Sequence, residues 1–180
     1  MVKEKTPQIT VLMSVYNCER YLSEAIESIL NQSFSDFEFL IINDGSTDNS
    51  RNIILSYADP RIRFFENEKN IGLTHSLNKG LRLATGQYIA RMDADDVSMP
   101  KRLEKELTFL NQHHSVGLVG TYFNMINENG KVLNTVKPLS NERELKEKLL
   151  LENQFGHGSV MFRRVCVEKV GFYREKFFHG

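Results

Sequence analysis

Apolar residues follow two alternating rhythms along the first half of the chain. Ile9, Val11, Leu12, Met13 and Val15 form a short, nearly continuous run, the kind that is buried on both faces of a sheet. Leu22, Ala25, Ile26, Ile29 and Leu30 then recur at helical spacing, with Asn17 placed to cap that helix. Residues 37–42 predict a second strand, closed by the turn-rich run Asn43-Asp44-Gly45-Ser46-Thr47-Asp48. A helix over 51–57 turns Ile53, Ile54 and Tyr57 inward and stops near Asp59-Pro60, where proline restricts the residue before it. Residues 62–65 read as a third strand. Leu73, Leu77, Leu81 and Ala84 space a third helix, with Gly86 as its C′ residue, and residues 87–92 make a fourth strand. Such alternation predicts an α/β fold: a mostly parallel sheet with helices on both faces and right-handed crossovers.

After residue 92 the rhythm changes. Ser98-Met99-Pro100 predicts a helix with proline in its first turn and Leu103, Leu107 and Leu110 on its apolar side. Residues 116–123 read as a fifth strand. Asn129-Gly130 is a hairpin signal, with residues 131–136 returning. An amphipathic helix over 142–151, a strand over 159–162 and a short helix over 164–170, ended by Gly171, complete the pattern.

At 180 residues, 41% hydrophobic and 26% charged, the chain suits one domain. Lys plus Arg and Asp plus Glu both number 23, and no dense basic tract exists, which argues against a nucleic-acid partner. The polar N-terminus has no signal-type apolar core, and no run approaches the roughly 18 apolar residues of a membrane span. Cys18 and Cys166 suit neither a disulfide framework nor a zinc site, so a cytoplasmic location is expected.

The chemistry concentrates in Tyr88-Ile89-Ala90-Arg91-Met92-Asp93-Ala94-Asp95-Asp96, where a strand runs into three carboxylates within four positions. Carboxylates so crowded repel one another, and a hard divalent cation relieves that repulsion. If the sheet is parallel, this cluster, residues 14–17 and residues 43–48 converge on one edge, where open α/β sheets bind ligands. Tyr16 would then stack on a base and Asp44 accept from a base N–H. Gly45 and Ser46 would admit close backbone approach, and Asp93 and Asp95 would hold a metal on a diphosphate. Each stretch also has a plainer reading: residues 43–48 as a turn with a helix cap, and Asp96 as a cap or a group behind the metal ligands.

Val11-Leu12-Met13-Ser14-Val15-Tyr16-Asn17, Ile42-Asn43-Asp44-Gly45-Ser46-Thr47-Asp48, Asn70-Ile71-Gly72-Leu73 and Met92-Asp93-Ala94-Asp95-Asp96 together resemble the family-two glycosyltransferases, over residues 8–180. The resemblance implies the GT-A fold, a three-layer α/β/α sandwich, and an inverting transferase. It implies a nucleotide-sugar donor, usually UDP-linked, a divalent metal (Mn²⁺ or Mg²⁺) and a saccharide or lipid-linked acceptor. By position, Ser14, Tyr16, Asn17 and, more weakly, Glu19 belong to the nucleoside pocket, and Asp44 to base recognition. Lys69, Asn70 and Gly72 fall in a loop near the nucleotide. Arg91 and Asp93 lie against ribose or donor sugar, with Asp95 the main metal ligand. Residues 8–98 would form the donor half and 99–180 part of an acceptor half.

The family's general base is an Asp in an acidic pair just after the stretch resembling residues 171–178. The chain stops at Gly180 before such a pair. It is therefore expected to be truncated at its C-terminus, with the base beyond Gly180 and any peripheral contact with the inner membrane face made there too. Within the chain, His157 and Glu175 are the weak base candidates and Glu168 reads as a solvated charge. His75, His113 and His114 read as surface or packing residues; Phe172, Phe177 and Phe178 read as core. Two other readings compete: a fragment that binds nucleotide sugar without transferring it, and an aspartate-nucleophile phosphatase built on Asp93 and Asp95. The second places its motif after the first strand, not the fourth.

Overall fold

The computed structural model describes residues 6–139, 141–149, 151, 153 and 155–176. Its first half alternates as the hydrophobic rhythm predicts: β1 (Ile9–Val15), α1 (Leu22–Leu30), β2 (Phe37–Asn43), α2 (Ser50–Leu55), β3 (Ile62–Glu66), α3 (Leu73–Leu83) and β4 (Tyr88–Asp93). The second half adds α4 (Arg102–Gln112), β5 (Leu118–Gly120), β6 (Phe123–Ile126), β7 (Val132–Val136), α5 (Glu142–Leu149), β8 (Val160–Arg163) and α6 (Arg164–Val170). One six-stranded sheet has the order β3-β2-β1-β4-β8-β5. β1 to β4 are parallel neighbours, while β8 runs antiparallel to both β4 and β5. The result is the expected mixed, mostly parallel sheet.

Both faces of the sheet are apolar because both are covered. Val11, Met13 and Val15 meet Ile26 and Ile29 of α1 and Leu103, Leu107 and Leu110 of α4. Leu12, Leu40, Ile42 and Ile89 meet Leu77 and Leu81 of α3 on the other face. Alternate residues of one strand thus serve two cores, which explains the unbroken apolar runs. The one buried carboxylate in these strands outside the site is Glu38. It accepts from Thr10 Oγ1 at 2.5 Å, Thr85 N at 2.7 Å, Thr85 Oγ1 at 2.8 Å and the Arg63 guanidinium. Burial pushes its pKa up, but those donors together outweigh burial and hold it below the usual range.

Several local expectations are corrected. α1 begins after Tyr21, so Asn17 does not cap it; Asn17 sits upstream at φ 50° with its side chain bound elsewhere. Gly86 is not the C′ residue of α3, whose C-cap is Ala84. It is a close-approach position: a Cβ there would lie 2.4 Å from Thr10 N, and its own N–H donates to Thr10 Oγ1 at 2.9 Å. α4 starts at Arg102, two residues past Pro100, and α2 and α3 are shorter than predicted. The single strand over 116–123 is broken at Thr121 and Tyr122: Thr121 N still donates to Ser159 O at 3.1 Å, in register with β8, but the segment opposite is already turning there and the ladder ends. The hairpin forms instead from β6 and β7, which make their own two-stranded sheet. Ser159 belongs to a 3₁₀ turn, His157–Ser159, ahead of β8.

Candidate functional site

The C-terminal ends of β2, β1 and β4 lie side by side with β1 in the middle. Val15 pairs with Asn43 across one side and Ser14 with Asp93 across the other. The three polar loops predicted to converge are therefore strand neighbours at one edge. The loop after β1 is zipped to the loop after β2. Asn17 N donates to Ser46 Oγ at 3.1 Å, Thr47 N to Asn17 Oδ1 at 2.8 Å and Cys18 N to Ser50 Oγ at 3.0 Å. Glu19 N donates to Asp48 Oδ2 at 2.9 Å, and Asn49 N to Glu19 Oε2 at 2.8 Å. Burial raises the Asp48 pKa, but the Ser50 and Glu19 donors prevail and lower it overall. Glu19, Ser46 and the Asn17 amide are thus spent on building the edge. Tyr16 is left 49% exposed there, with its ring available to a flat ligand.

Asp44 is only 2% exposed. Its Oδ1 accepts from Asn67 Nδ2 at 2.8 Å and Ile71 N at 3.0 Å, and its Oδ2 from Gly72 N at 2.9 Å. The carboxylate thereby fastens the loop after β3 to the end of β2. Gly45 completes that junction. Its φ is 67°, and a Cβ would lie 2.4 Å from Lys69 C and 2.6 Å from Asn70 N. The close approach expected at Gly45 is made by the protein's own backbone. Lys69 and Asn70 are exposed on the loop so held, and Asn70 Oδ1 accepts from Gly72 N at 3.0 Å.

At the end of β4, Arg91 is 2% exposed and pairs through Nη1 with Asp93 Oδ1. Asp93 Oδ2 and Asp96 Oδ2 flank one point beside Gly158, where a Cβ would lie 3.1 Å and 2.1 Å from them. Asp96 is exposed as a whole residue, yet its carboxyl turns inward there. Enclosure first, then Asp93 and Asp95, push its pKa to about 6 against the pull of Arg102 and Arg91. Asp95 faces the β1 loop: after burial, it is the largest cause lifting the Cys18 thiol to about 11. Asp96 caps no helix, since Lys101 stands at the N-cap of α4.

Among the described residues no group of three or more His, Cys, Asp and Glu side chains is arranged to hold a metal by itself. The donor set nevertheless fits Mg²⁺ or Mn²⁺, which take one or two carboxylates and complete their shell with phosphate oxygens and water. The space that Gly158 leaves beside two carboxylate oxygens is consistent with that.

His157 opens the 3₁₀ turn whose Gly158 touches the carboxylates, so it adjoins the site. Glu175 is exposed, with Oε1 3.4 Å from His75 Nδ1. Glu168 pairs with Arg164 at 3.8 Å on the surface of α6, as a solvated charge would. His113 packs on Phe109 at 4.3 Å between centroids, and His114 is exposed. Phe172 corrects its prediction: it is exposed, with the Arg82 guanidinium 4.9 Å above its ring. Phe177 and Phe178 lie outside the described residues.

The sequence reading missed the groups behind the acidic cluster. Arg102 crosses under it, donating from Nη2 to Arg91 O at 2.7 Å and Val160 O at 3.3 Å, and from Nε to Glu106 Oε2 at 3.2 Å. The i,i+4 spacing of Arg102 and Glu106 is visible in the sequence, but that spacing is the same for a buried pair and a solvated one. Gly158 and Asn67 carried no local signal.

Comparison with known proteins agrees with this geometry. The family model described as Glycosyl transferase family 2 matches residues 10–171. "Putative glycosyltransferase EpsE" of Bacillus subtilis is 40% identical over 171 residues, covering 93% of this chain and 60% of its own length. "O-antigen biosynthesis glycosyltransferase WbnJ" of Escherichia coli is 36% identical over 165 residues, covering 89% and 63%. The chain thus spans less than two thirds of the length of these relatives. S. aureus TarS, solved in complex with UDP, superposes with a TM-score of 0.76 at 21% identity, over 96% of this chain and 52% of that one. The Pyrobaculum calidifontis mannosyltransferase PcManGT, solved with GDP-Man and Mn²⁺, gives 0.70 at 22% identity, over 95% and 48%. The last two share the GT-A-like sheet and its flanking helices. With its family motifs gathered at one edge of that sheet, the chain belongs to glycosyl transferase family 2.

Proposed function

We propose that this chain carries the donor site of an inverting glycosyltransferase. It takes a sugar from a nucleoside-diphosphate donor, UDP-linked, to a saccharide or lipid-linked acceptor, with Mn²⁺ or Mg²⁺. The carrying observation is the adjacency of β2, β1 and β4, which brings Tyr16, Asp44 and Asp93 to Asp96 to one edge. Nucleotides bound by solved proteins of the same fold support the diphosphate class: UDP for TarS, GDP-Man with Mn²⁺ for PcManGT.

In this reading the uracil lies on Tyr16 and the backbone of residues 14–17. Asp44 Oδ2, which accepts one protein bond against two at Oδ1, offers the remaining acceptor to a base N–H. The loop of Lys69, Asn70 and Gly72 walls the nucleoside, Gly45 and Ser46 support it from below, and Arg91 with Asp93 faces ribose or sugar. Asp95 and Asp93 would hold the metal, which when bound neutralises charge growing on the diphosphate leaving group. An acceptor hydroxyl needs a base on the opposite side of the sugar. His157 adjoins the carboxylates, whereas Glu175 is paired with His75, so His157 is the candidate to test first. Among the described residues no helix is long and apolar enough to cross a membrane.

Calorimetry with UDP, with and without Mn²⁺, tests the reading. Binding that tightens with Mn²⁺ is expected, and Asp95→Ala should abolish the tightening. No heat under either condition refutes the donor site. Metal-linked binding that survives in Asp95→Ala moves the ligand to Asp93 or Asp96.

A further inference from the structure

One face of α3 carries the segment that follows α6. His75, Asn78 and Arg82 stand at i, i+3 and i+7, on one side of the helix. Their partners come in reverse order: Arg82 lies over the Phe172 ring, Asn78 holds Tyr173, and His75 meets Glu175. Residues 172–175 therefore run antiparallel to α3, toward the end of the helix that Asp44 anchors through Gly72.

The middle contact sets the position. Asn78 is 2% exposed; its Nδ2 donates to Tyr173 O at 2.9 Å and its Oδ1 accepts from Tyr173 N at 2.9 Å. This is the pair of bonds one peptide makes to another in a sheet, here supplied by a side-chain amide. Residues 171–176 have no helix or strand of their own, so their placement depends on such contacts. The Tyr173 ring packs on the cluster of Leu12, Leu77 and Ile89, and Ile89 precedes Arg91 on the same face of β4. Arg91 reaches Asp93 through Nη1, while its buried Nε has no hydrogen-bond partner. The Tyr173 phenol feels that pair: burial raises its pKa first, Asp93 adds to the rise and Arg91 opposes it.

We infer that Asn78 is a positioning residue for the acidic site. It docks Tyr173 against the Arg91–Asp93 pair and so fixes how the Asp93 carboxylate is presented. The inference rests on the donor-site reading above.

Asn78→Leu removes both bonds while keeping an apolar body on α3. Hydrogen exchange of the amides of residues 172–176 should speed about tenfold in the free chain, with residues 41–46 unchanged. By calorimetry the UDP affinity without metal should hold, and the gain in affinity on adding Mn²⁺ should fall about tenfold. Tyr173→Phe keeps the backbone bonds and removes only the hydroxyl. It should keep the exchange protection yet lose part of the Mn²⁺ gain. Unchanged exchange in Asn78→Leu, a Mn²⁺ gain equal to wild type in both variants, or equal losses with and without metal overturns the inference alone. A wild-type chain that binds no UDP overturns the donor-site reading and this inference with it.

Discussion

Glu106 offers the sharpest test of the electrostatics behind the acidic cluster. It is 2% exposed on α4, with Oε2 3.2 Å from Arg102 Nε and Oε1 meeting no hydrogen-bond donor. A carboxylate with one empty oxygen recovers little of its lost hydration. Burial accordingly lifts its pKa to about 7, with Arg102 pulling the other way. In the unfolded chain the group titrates near 4.3, as free Glu does. Between those values the folded chain holds a proton that the unfolded chain has released. Its contribution to stability is therefore full below about pH 4.3 and is lost as pH rises through about 7. The slope is about 1.4 kcal/mol per pH unit at most, or on the order of 2 kcal/mol between about pH 5 and pH 7. Glu106→Gln keeps an acceptor for Arg102 and deletes the titration. Urea midpoints of wild type and variant should lie close at about pH 5 and separate in favour of the variant toward about pH 7.5. All other groups titrate alike in both proteins, so the difference isolates Glu106. A difference that is flat with pH, or one that swings toward wild type as pH rises, would refute the reasoning. It would mean that Glu106 is a fully ionised partner of Arg102.

Two glycines make further tests. In Gly158→Ala the new Cβ presses on the carboxylate ends of Asp96 and Asp93, side-chain atoms that can give way where backbone could not. Thermal stability should change by less than about 1 kcal/mol while the Mn²⁺ gain in UDP affinity drops about tenfold; an unchanged gain would separate those carboxylates from the metal. In Gly45→Ala the clash is with backbone at Lys69 and Asn70, and φ is 67°. A loss of about 2 kcal/mol or more in urea unfolding is expected, and a stable variant would mean that the loop after β3 is not fastened where Asp44 holds it.

Much of the front half could be read from the chain because its signals are local. Runs such as 9–15 and 37–42 are apolar on both alternating faces, and the stripe from Leu22 to Leu30 keeps one helical period, so strand and helix were distinguishable without tertiary information. The motif residues at the strand ends are dense in Asn, Asp, Gly and Ser, which marks turns whatever they bind. Errors clustered where a residue answered to a distant partner. Asn17 had the chemistry of a cap but binds Thr47; Gly86 had the chemistry of a helix stop but makes room for β1. Residues 116–123 have strand propensity throughout, yet the ladder stops at Thr121 because its partner Ser159 belongs to the turn ahead of β8.

The side chains thus dictate the alternation of elements, the two-faced core and the types of group at the edge, since these follow from burial period and turn chemistry. Which strand ends become neighbours follows from sheet order, and there β1 comes to lie between β2 and β4. That order sets Ser14 beside Asp93 and Val15 beside Asn43. Packing also assigns each carboxylate its work. Asp44 is enclosed by three donors and fastens a loop, Asp93 is turned by a buried arginine, and Asp96 faces a missing Cβ. In the chain they are three similar acidic residues; their differences come from neighbours 2 to 62 positions away, which only folding arranges around them.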